Sequence, residues 1–349
     1  MRVAYFLPRA REGRGHSVQH IADGIIATLD PEFEASRVVS RYESSGVLAR
    51  LYNIIEAKFR QEQVNHITGD VHFLTYLLDP RRTVLTVLDC GRINGEPNWR
   101  KWVVKLFWFS IPVRQCAAIT VISGAVKDDL LRHVHIDPEM VHVVPVAVPS
   151  VYKRVPRRFN SERPVVLQVG TNPNKNLPRT FEALADVPCE LRVIGPLTPE
   201  QRALLDQFGL SYENFINLTN EQMLEQYSQC DVVSFASTFE GFGMPIVEGN
   251  LVGRVVVTGN TSSMPEVAGG SACLVDPFDV DSIREGFVCV IRDAPYRESL
   301  IEKGYENAKR FDPTTITRQY ESLYREAAAR AATKRPTLLS TLARALPRR

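Results

Sequence analysis

The chain contains no run approaching the roughly 18 uncharged apolar residues of a membrane span, so no transmembrane helix is predicted. A secretory leader is not expected either: the apolar stretch Val3 to Leu7 is short, and Arg9, Arg11 and Arg14 follow it. Cysteine is sparse and unpatterned, with Cys90, Cys116, Cys189, Cys230, Cys273 and Cys289 scattered and no Cys-x-x-Cys spacing. That argues against a disulfide framework or a zinc site and for a reducing cytoplasm. The seven histidines all fall in the first half without a zinc-ligand spacing. There is no Gly-x-Ser-x-Gly elbow and no P-loop lysine motif, which removes the α/β-hydrolases and P-loop nucleotide hydrolases from consideration. Charge of either sign is not in large excess: the net value is +2. Residues 325–349 hold seven basic groups against Glu326, which leaves 35 basic and 39 acidic groups in the rest. An acidic body with a basic tail is a poor footprint for nucleic acid and suits an anionic membrane surface.

What is present is 349 residues with 44% hydrophobic and 23% charged, enough for two globular domains with full cores. Short apolar strands alternate with helical segments. Strands are predicted at Arg2 to Leu7, Val84 to Leu88, Ala118 to Ile122 and Val141 to Val144, with Ser123 capping the helix that follows the third. Prolines 145, 149, 156 and 164 with Lys153, Arg154, Arg157 and Arg158 mark a linker. The rhythm then restarts: strands at Val165 to Val169, Leu191 to Ile194, Val232 to Phe235, Arg254 to Thr258 and Ala272 to Val275, and a helix from about Pro178 to Ala185. This is an α/β class, two parallel-sheet units whose strand ends face a common cleft. The expected division is a domain over 1–150, a linker over 151–163, a domain over 164–312 and, at the far end, a basic amphipathic tail over 333–349.

One segment concentrates the chemistry: Thr238-Phe-Glu-Gly-Phe-Gly-Met-Pro-Ile-Val-Glu248, which follows the Val232 to Phe235 strand. Pro245 suits the start of a helix, and Gly241 and Gly243 let the backbone approach a ligand and adopt positive φ. Their N–H groups and the helix N-terminus form a site for a phosphate or an anionic sugar oxygen. Glu240 in the loop and Glu248 on the first helical turn would accept hydrogen bonds from sugar or ribose hydroxyls. Read blandly, Glu240 is a solvated loop acid and Glu248 a favourable charge near a helix start.

The segment resembles the E-x7-E signature of retaining, nucleotide-sugar-dependent glycosyltransferases of family GT4, which have the GT-B fold of two Rossmann-like domains. The resemblance extends over Val121-Ile-Ser123 to Pro145, Val169-Gly-Thr-Asn-Pro-Asn-Lys-Asn-Leu177, Ser262 to Gly269 and Leu274 to Pro277. It implies that residues 1–150 bind the acceptor and 164–312 the donor, and that 313–332 is the family's terminal helix crossing back to the first domain. Lys175 would neutralise the donor diphosphate, and Glu240 with Gly241, Phe242, Gly243 and Met244 would hold the sugar. Glu248 would take the ribose, while Thr171, Leu218, Thr219, Gly13 and Gly15 complete the donor side. On the acceptor side stand His16 and Asp89.

The implied substrate is a UDP- or GDP-sugar, with no metal and no separate cofactor. The implied acceptor is a glycan or lipid-linked sugar in bacterial polysaccharide or lipopolysaccharide synthesis. Two positions depart from the family pattern: Leu88 stands where a histidine is frequent, and Asn174 where an arginine is. A catalytically silent sugar-nucleotide-binding subunit is the alternative these departures support, and a sugar-nucleotide epimerase is a third reading. Asp279-Val-Asp281 matches a metal-binding D-x-D but precedes a helical run, so capping is expected. Finally, Trp99 to Arg114 interleaves aromatics with cations. It reads equally as a membrane-interface segment and as a helix on the first sheet, and leucines 338, 339, 342 and 346 make the tail a second amphipathic candidate.

Overall fold

A computed structural model describes residues 1–9, 16–94, 98–149 and 151–333. The first six strands are β1 (Arg2–Leu7), β2 (Glu34–Val39), β3 (Val64–Thr68), β4 (Thr83–Val87), β5 (Ala118–Val121) and β6 (Val141–Val143). They form one sheet in the order β2-β1-β3-β4-β5-β6. The next six are β7 (Val165–Val169), β8 (Glu190–Ile194), β9 (Tyr212–Phe215), β10 (Val232–Phe235), β11 (Val255–Gly259) and β12 (Cys273–Val275). These pair as β12-β11-β10-β7-β8-β9. Every pairing in both sheets is parallel. Helices cover the connections, so the expected architecture of two Rossmann-like α/β units holds.

Each order reverses direction once, between β1 and β3 in the first sheet and between β7 and β10 in the second. Open α/β sheets bind ligands beyond the carboxyl ends of the strands at such reversals. The loops Gly170–Asn176 and Ala236–Gly243 leave β7 and β10, so both sit at the second reversal.

The expected strands are present with ends shifted by a residue. The expected helix runs over Leu177–Leu184, and Asp279 and Ser123 cap their helices by accepting from Asp281 N and Val126 N. Two strands of the first sheet, β2 and β3, carry no clear signal in the sequence. β3 reads Val-Asn-His-Ile-Thr yet is buried throughout. Two of its polar side chains are paired: Asn65 donates to Gln61, and His66 lies between Thr86 at 2.7 Å and Tyr324 at 2.7 Å; the Thr68 hydroxyl is buried without a partner. Burial lowers the His66 pKa to about 3, so the ring is neutral.

The Pro313–Ala332 helix lies against this first sheet. Tyr324 Oη bridges His66 and Tyr5 (2.9 Å), and Arg330 donates to the carbonyl of Ala117 at 2.6 Å. Ile316, Tyr320, Leu323, Tyr324 and Ala327 share one core with β1 residues Val3, Tyr5 and Leu7. The Trp99–Arg114 segment is helical, with Asn98–Val104 passing into a π-helical stretch over Lys105–Ser110. Its inner side packs on the first unit: Trp108 and Phe109 are buried, and Trp108 Nε1 donates to Asp70 Oδ1 at 2.5 Å. The tail from residue 334 onward lies outside the described residues, as do Gly13 and Gly15 and the side chain of His16. Among the described residues, no helix is long and apolar enough to cross a membrane.

Candidate functional site

The site is built from the loops at the second reversal. Gly170 ends β7 at φ +88, and a Cβ there would lie 2.8 Å from Lys175 Cε. Glycine therefore serves twice, in the turn and in letting the lysine stem cross the backbone. The stem runs over the Phe235 ring, with Nζ 4.4 Å from its centroid, and ends 2.7 Å from Glu240 Oε1. Lys175 and Glu240, 65 residues apart, thus meet in a half-buried ion pair. Asn174 joins them, its Nδ2 donating to Glu240 Oε1 and to the carbonyl of Phe239, each at 3.0 Å. The residue in the arginine position therefore steadies the glutamate.

Two serines after β11 hold the same loop. Ser262, at φ 50, accepts from Glu240 N at 3.0 Å, and Ser263 donates to the carbonyls of Glu240 (2.9 Å) and Phe242 (2.6 Å). The sequence reading gave these serines no role of their own. Their only signal is two small hydroxyls beside the Met264–Ala268 helix, a pattern too common to single out a site. Gly243 adopts φ +119 and caps the Met244–Val252 helix, in which Pro245 is the second residue. Gly241 corrects an expectation, because its φ is not positive. It is glycine through proximity: a Cβ there would stand 2.4 Å from the Leu88 carbonyl oxygen.

That contact sets the site against the first domain. Ser123 Oγ donates to the carbonyl of Gly241 at 2.7 Å, and Glu266 accepts from Gly124 N (2.9 Å) and Ala125 N (3.3 Å). The Glu266 carboxylate therefore occupies the N-terminus of the Gly124–His133 helix, where the positive end of the helix dipole favours an anion. Asp89, beyond β4 and exposed, accepts from Gly91 N at 2.9 Å, a turn contact at the mouth of the cleft. Leu88 is half-buried against the core.

Glu248 differs from expectation in placement. It is the fifth residue of its helix, not in the first turn, and is only 8% exposed. Helical geometry turns it toward the Asn220–Gln229 helix, where Tyr227 Oη donates to its Oε2 at 2.5 Å; Tyr152 is a second hydroxyl partner. Burial raises the Glu248 pKa, with the tyrosine hydroxyls and the Lys175 charge opposing the shift. Neither tyrosine is signalled by spacing in the sequence. Thr171 donates to the carbonyl of Pro196 at 2.8 Å, and Thr219 caps the Asn220–Gln229 helix in a capping box with Gln222. Leu218, half-buried, precedes that cap, so Thr171 and Leu218 both lie beyond carboxyl ends of strands in the second sheet. Of the D-x-D, Asp279 is a cap and Asp281 pairs with Arg284.

The arrangement supplies an ammonium, a carboxylate and a helix N-terminus around glycine backbone, all facing the end of β4. Residues 153–307 match the family model for glycosyl transferases group 1. Over that stretch the second half is similar to the group 1 glycosyltransferases. Among relatives, the chain is 26% identical over 252 residues to the serotype-specific mannosyltransferase WbdA of Escherichia coli, covering 65% of this chain and 30% of that one. It is 25% identical over 251 residues to the MMP alpha-(1->4)-mannosyltransferase of Mycolicibacterium hassiacum, covering 67% and 61%. The chain thus spans about a third of the first relative and under two thirds of the second. Among solved structures, it superimposes with a TM-score of 0.74 and 16% identity on Anabaena Alr3699/HepE in complex with UDP and glucose, over 92% of this chain and 98% of that one. That likeness establishes the GT-B fold.

Proposed function

We propose that the protein is a retaining glycosyltransferase that moves a hexose from a UDP- or GDP-sugar to a glycan or lipid-linked acceptor in polysaccharide or lipopolysaccharide synthesis, at the cytoplasmic side of a membrane. The observation that carries this reading is the Lys175–Glu240 pair, 2.7 Å apart beneath the Gly241–Gly243 backbone and beside the Met244–Val252 helix N-terminus. The mannosyltransferase relatives favour mannose as the sugar.

The donor diphosphate takes Lys175 from Glu240 and lies against the helix N-terminus. A fixed cation and aligned N–H groups stabilise charge on the leaving phosphate without reorganising, the term expected to dominate the rate. Glu240, released from the lysine but still held by Asn174, accepts from the sugar hydroxyls. The acceptor hydroxyl approaches from the β4 end of the first domain. Its oxygen bonds to the anomeric carbon on the face from which the diphosphate departs, and the departing phosphate oxygen takes the proton. Among the described residues no side chain at the site is placed as a nucleophile, and none is needed for this front-face route, which uses no metal ion.

The test combines binding and turnover. Thermal stabilisation by UDP, GDP, ADP and their sugar conjugates is measured in EDTA, with the anomeric configuration of the product read by NMR. Stabilisation by one nucleotide, a retained configuration and near-complete loss of turnover in Lys175→Ala and Glu240→Ala support the reading. Wild-type-like turnover in either variant, or an inverted product, would overturn it. Saturable nucleotide binding with no transfer to any acceptor would favour the silent subunit, whose basis is Leu88 and Asn174.

A further inference from the structure

The outer face of the first domain has a chemistry that the transfer reaction does not use. The Val47–Phe59 helix buries Asn53, Ile54 and Ala57 on its inner side. Its outer side is also apolar: Val47, Leu48 and Phe59 are 69%, 83% and 80% exposed. Trp102, on the neighbouring Asn98–Val104 helix, is 64% exposed. Between the two helices runs a groove of about 560 Å³ floored by Phe73 and Trp108 and rimmed by Phe107. A soluble helix normally turns one apolar stripe inward and a polar face outward, and a broad exposed apolar surface marks an interaction site.

The charge around this surface is one-sided. Segments 41–60 and 98–108 together hold seven lysines and arginines against two glutamates, Glu43 and Glu56. Glu56 is paired with Arg60 at 3.0 Å. Lys58 and Arg60 stand at the C-terminal end of the first helix, and Lys101 and Lys105 on the second segment. Apolar side chains and tryptophan surrounded by cations match the depth profile of an anionic bilayer, whose acyl boundary takes the former and whose phosphates take the latter. A protein partner would need none of this charge bias.

We propose that the face formed by the Val47–Phe59 and Asn98–Val104 helices seats the protein on an anionic lipid bilayer. This goes beyond the transfer reaction and does not depend on it. Seating here has a geometric consequence, because Leu88 and Asp89 lead through the Gly91–Asn94 turn of helix directly into the docking segment. The acceptor side of the cleft is thereby held close to the lipid surface.

All three tryptophans, Trp99, Trp102 and Trp108, lie in this one segment, so intrinsic fluorescence reports on it alone. The full chain is mixed with vesicles of phosphatidylcholine and phosphatidylglycerol carrying brominated acyl chains. Quenching is expected with the mixed vesicles, is expected to fall at about 0.5 M salt as charges are screened, and is expected to be weak with phosphatidylcholine alone. Trp102→Phe should remove most of the quenched signal. Leu48→Ser with Phe59→Ser should weaken partitioning roughly a hundredfold, given the apolar area withdrawn from water, without lowering the unfolding temperature. Absence of quenching, or sedimentation with vesicles that is unchanged in the double variant, would overturn the proposal. So would light scattering that shows a dimer, broken by the double variant, with no vesicle binding; the face would then join two copies of the chain.

Discussion

The two halves of the molecule have the same number of parallel strands but close their cores differently. The second half has one core of buried residues drawn only from 166 to 300, while the opposite face of its sheet shares a core with the first half. The first half is completed from elsewhere. One side of its sheet is closed by residues 316 to 327, from the far end of the chain. Its other side is covered by helices whose outer surface is left apolar: of the sixteen exposed large apolar side chains among the described residues, twelve precede residue 108. A domain that handles a nucleotide needs only its own loops in order. A domain that meets a large acceptor or a surface must keep a face unfinished.

Four measurements would sharpen or break this contrast. The largest effect is expected where the halves touch. Gly241→Ala puts a Cβ 2.4 Å from the Leu88 oxygen and pushes the halves apart. Turnover should fall by about two to three orders of magnitude, since misplacement on that scale is enough, while nucleotide affinity, set within the second half, changes little. Equal loss of both would mean that the halves are not separable.

The next effect is acid sensitivity in the first half. His66 is held at about 3 from an ordinary 6.5, so its contribution is present in full above pH 6.5 and lost as pH falls toward 3. The slope is at most about 1.4 kcal/mol per pH unit. Hydrogen exchange should show the first half opening before the second in this window; simultaneous opening would remove the asymmetry. Glu248 in the second half acts with the opposite sign. Its raised pKa means that stability is greatest below its ordinary value of 4.5 and declines as pH rises through the folded value.

Removing a hydroxyl from the polar chain under the terminal helix comes third. Tyr324→Phe leaves Tyr5 and His66 without their shared partner and should cost about 1–3 kcal/mol in chemical denaturation. The loss should fall on the first half. Glu266→Gln is the mildest, about 0.5–1 kcal/mol, because it keeps an acceptor for Gly124 N and loses the charge and the longer contact from Ala125 N. Its readout is a small increase in the radius of gyration by solution scattering. No change would show that the Ser123–Gly241 contact holds the cleft alone.

The same asymmetry governs what could be read in the sequence. In the second half, runs such as Val165 to Leu167 and Val255 to Val257 are apolar, with Pro164 before the first and Gly253, Gly259 and Asn260 around the second, so strands and loops are visible locally. The functional residues there answer to backbone demands, a positive φ at Gly243 and close crossing at Gly170, that only certain residue types meet. In the first half, β3 hides behind Asn65 and His66, and the partners of His66, Thr86 and Tyr324, are distant in sequence. The Lys175–Glu240 meeting follows from motif adjacency at neighbouring strand ends. By contrast, the hold of Tyr227 and Tyr152 on Glu248, of Ser123 on Gly241 and of Glu266 on Gly124 arises only in the folded chain. Pairs of that kind leave no periodic trace.

The docking of Tyr324 on His66 spans 258 positions of chain. A ribosome adding about 5–20 residues per second makes the second of these residues roughly ten seconds to a minute after the first. During that interval the leading half waits with one flank of its sheet bare, while the trailing half, whose strands and helices are contiguous, can fold as it emerges. The half made first is thus the one finished last, and chaperone capture during synthesis should map to the flank that residues 316 to 327 later cover.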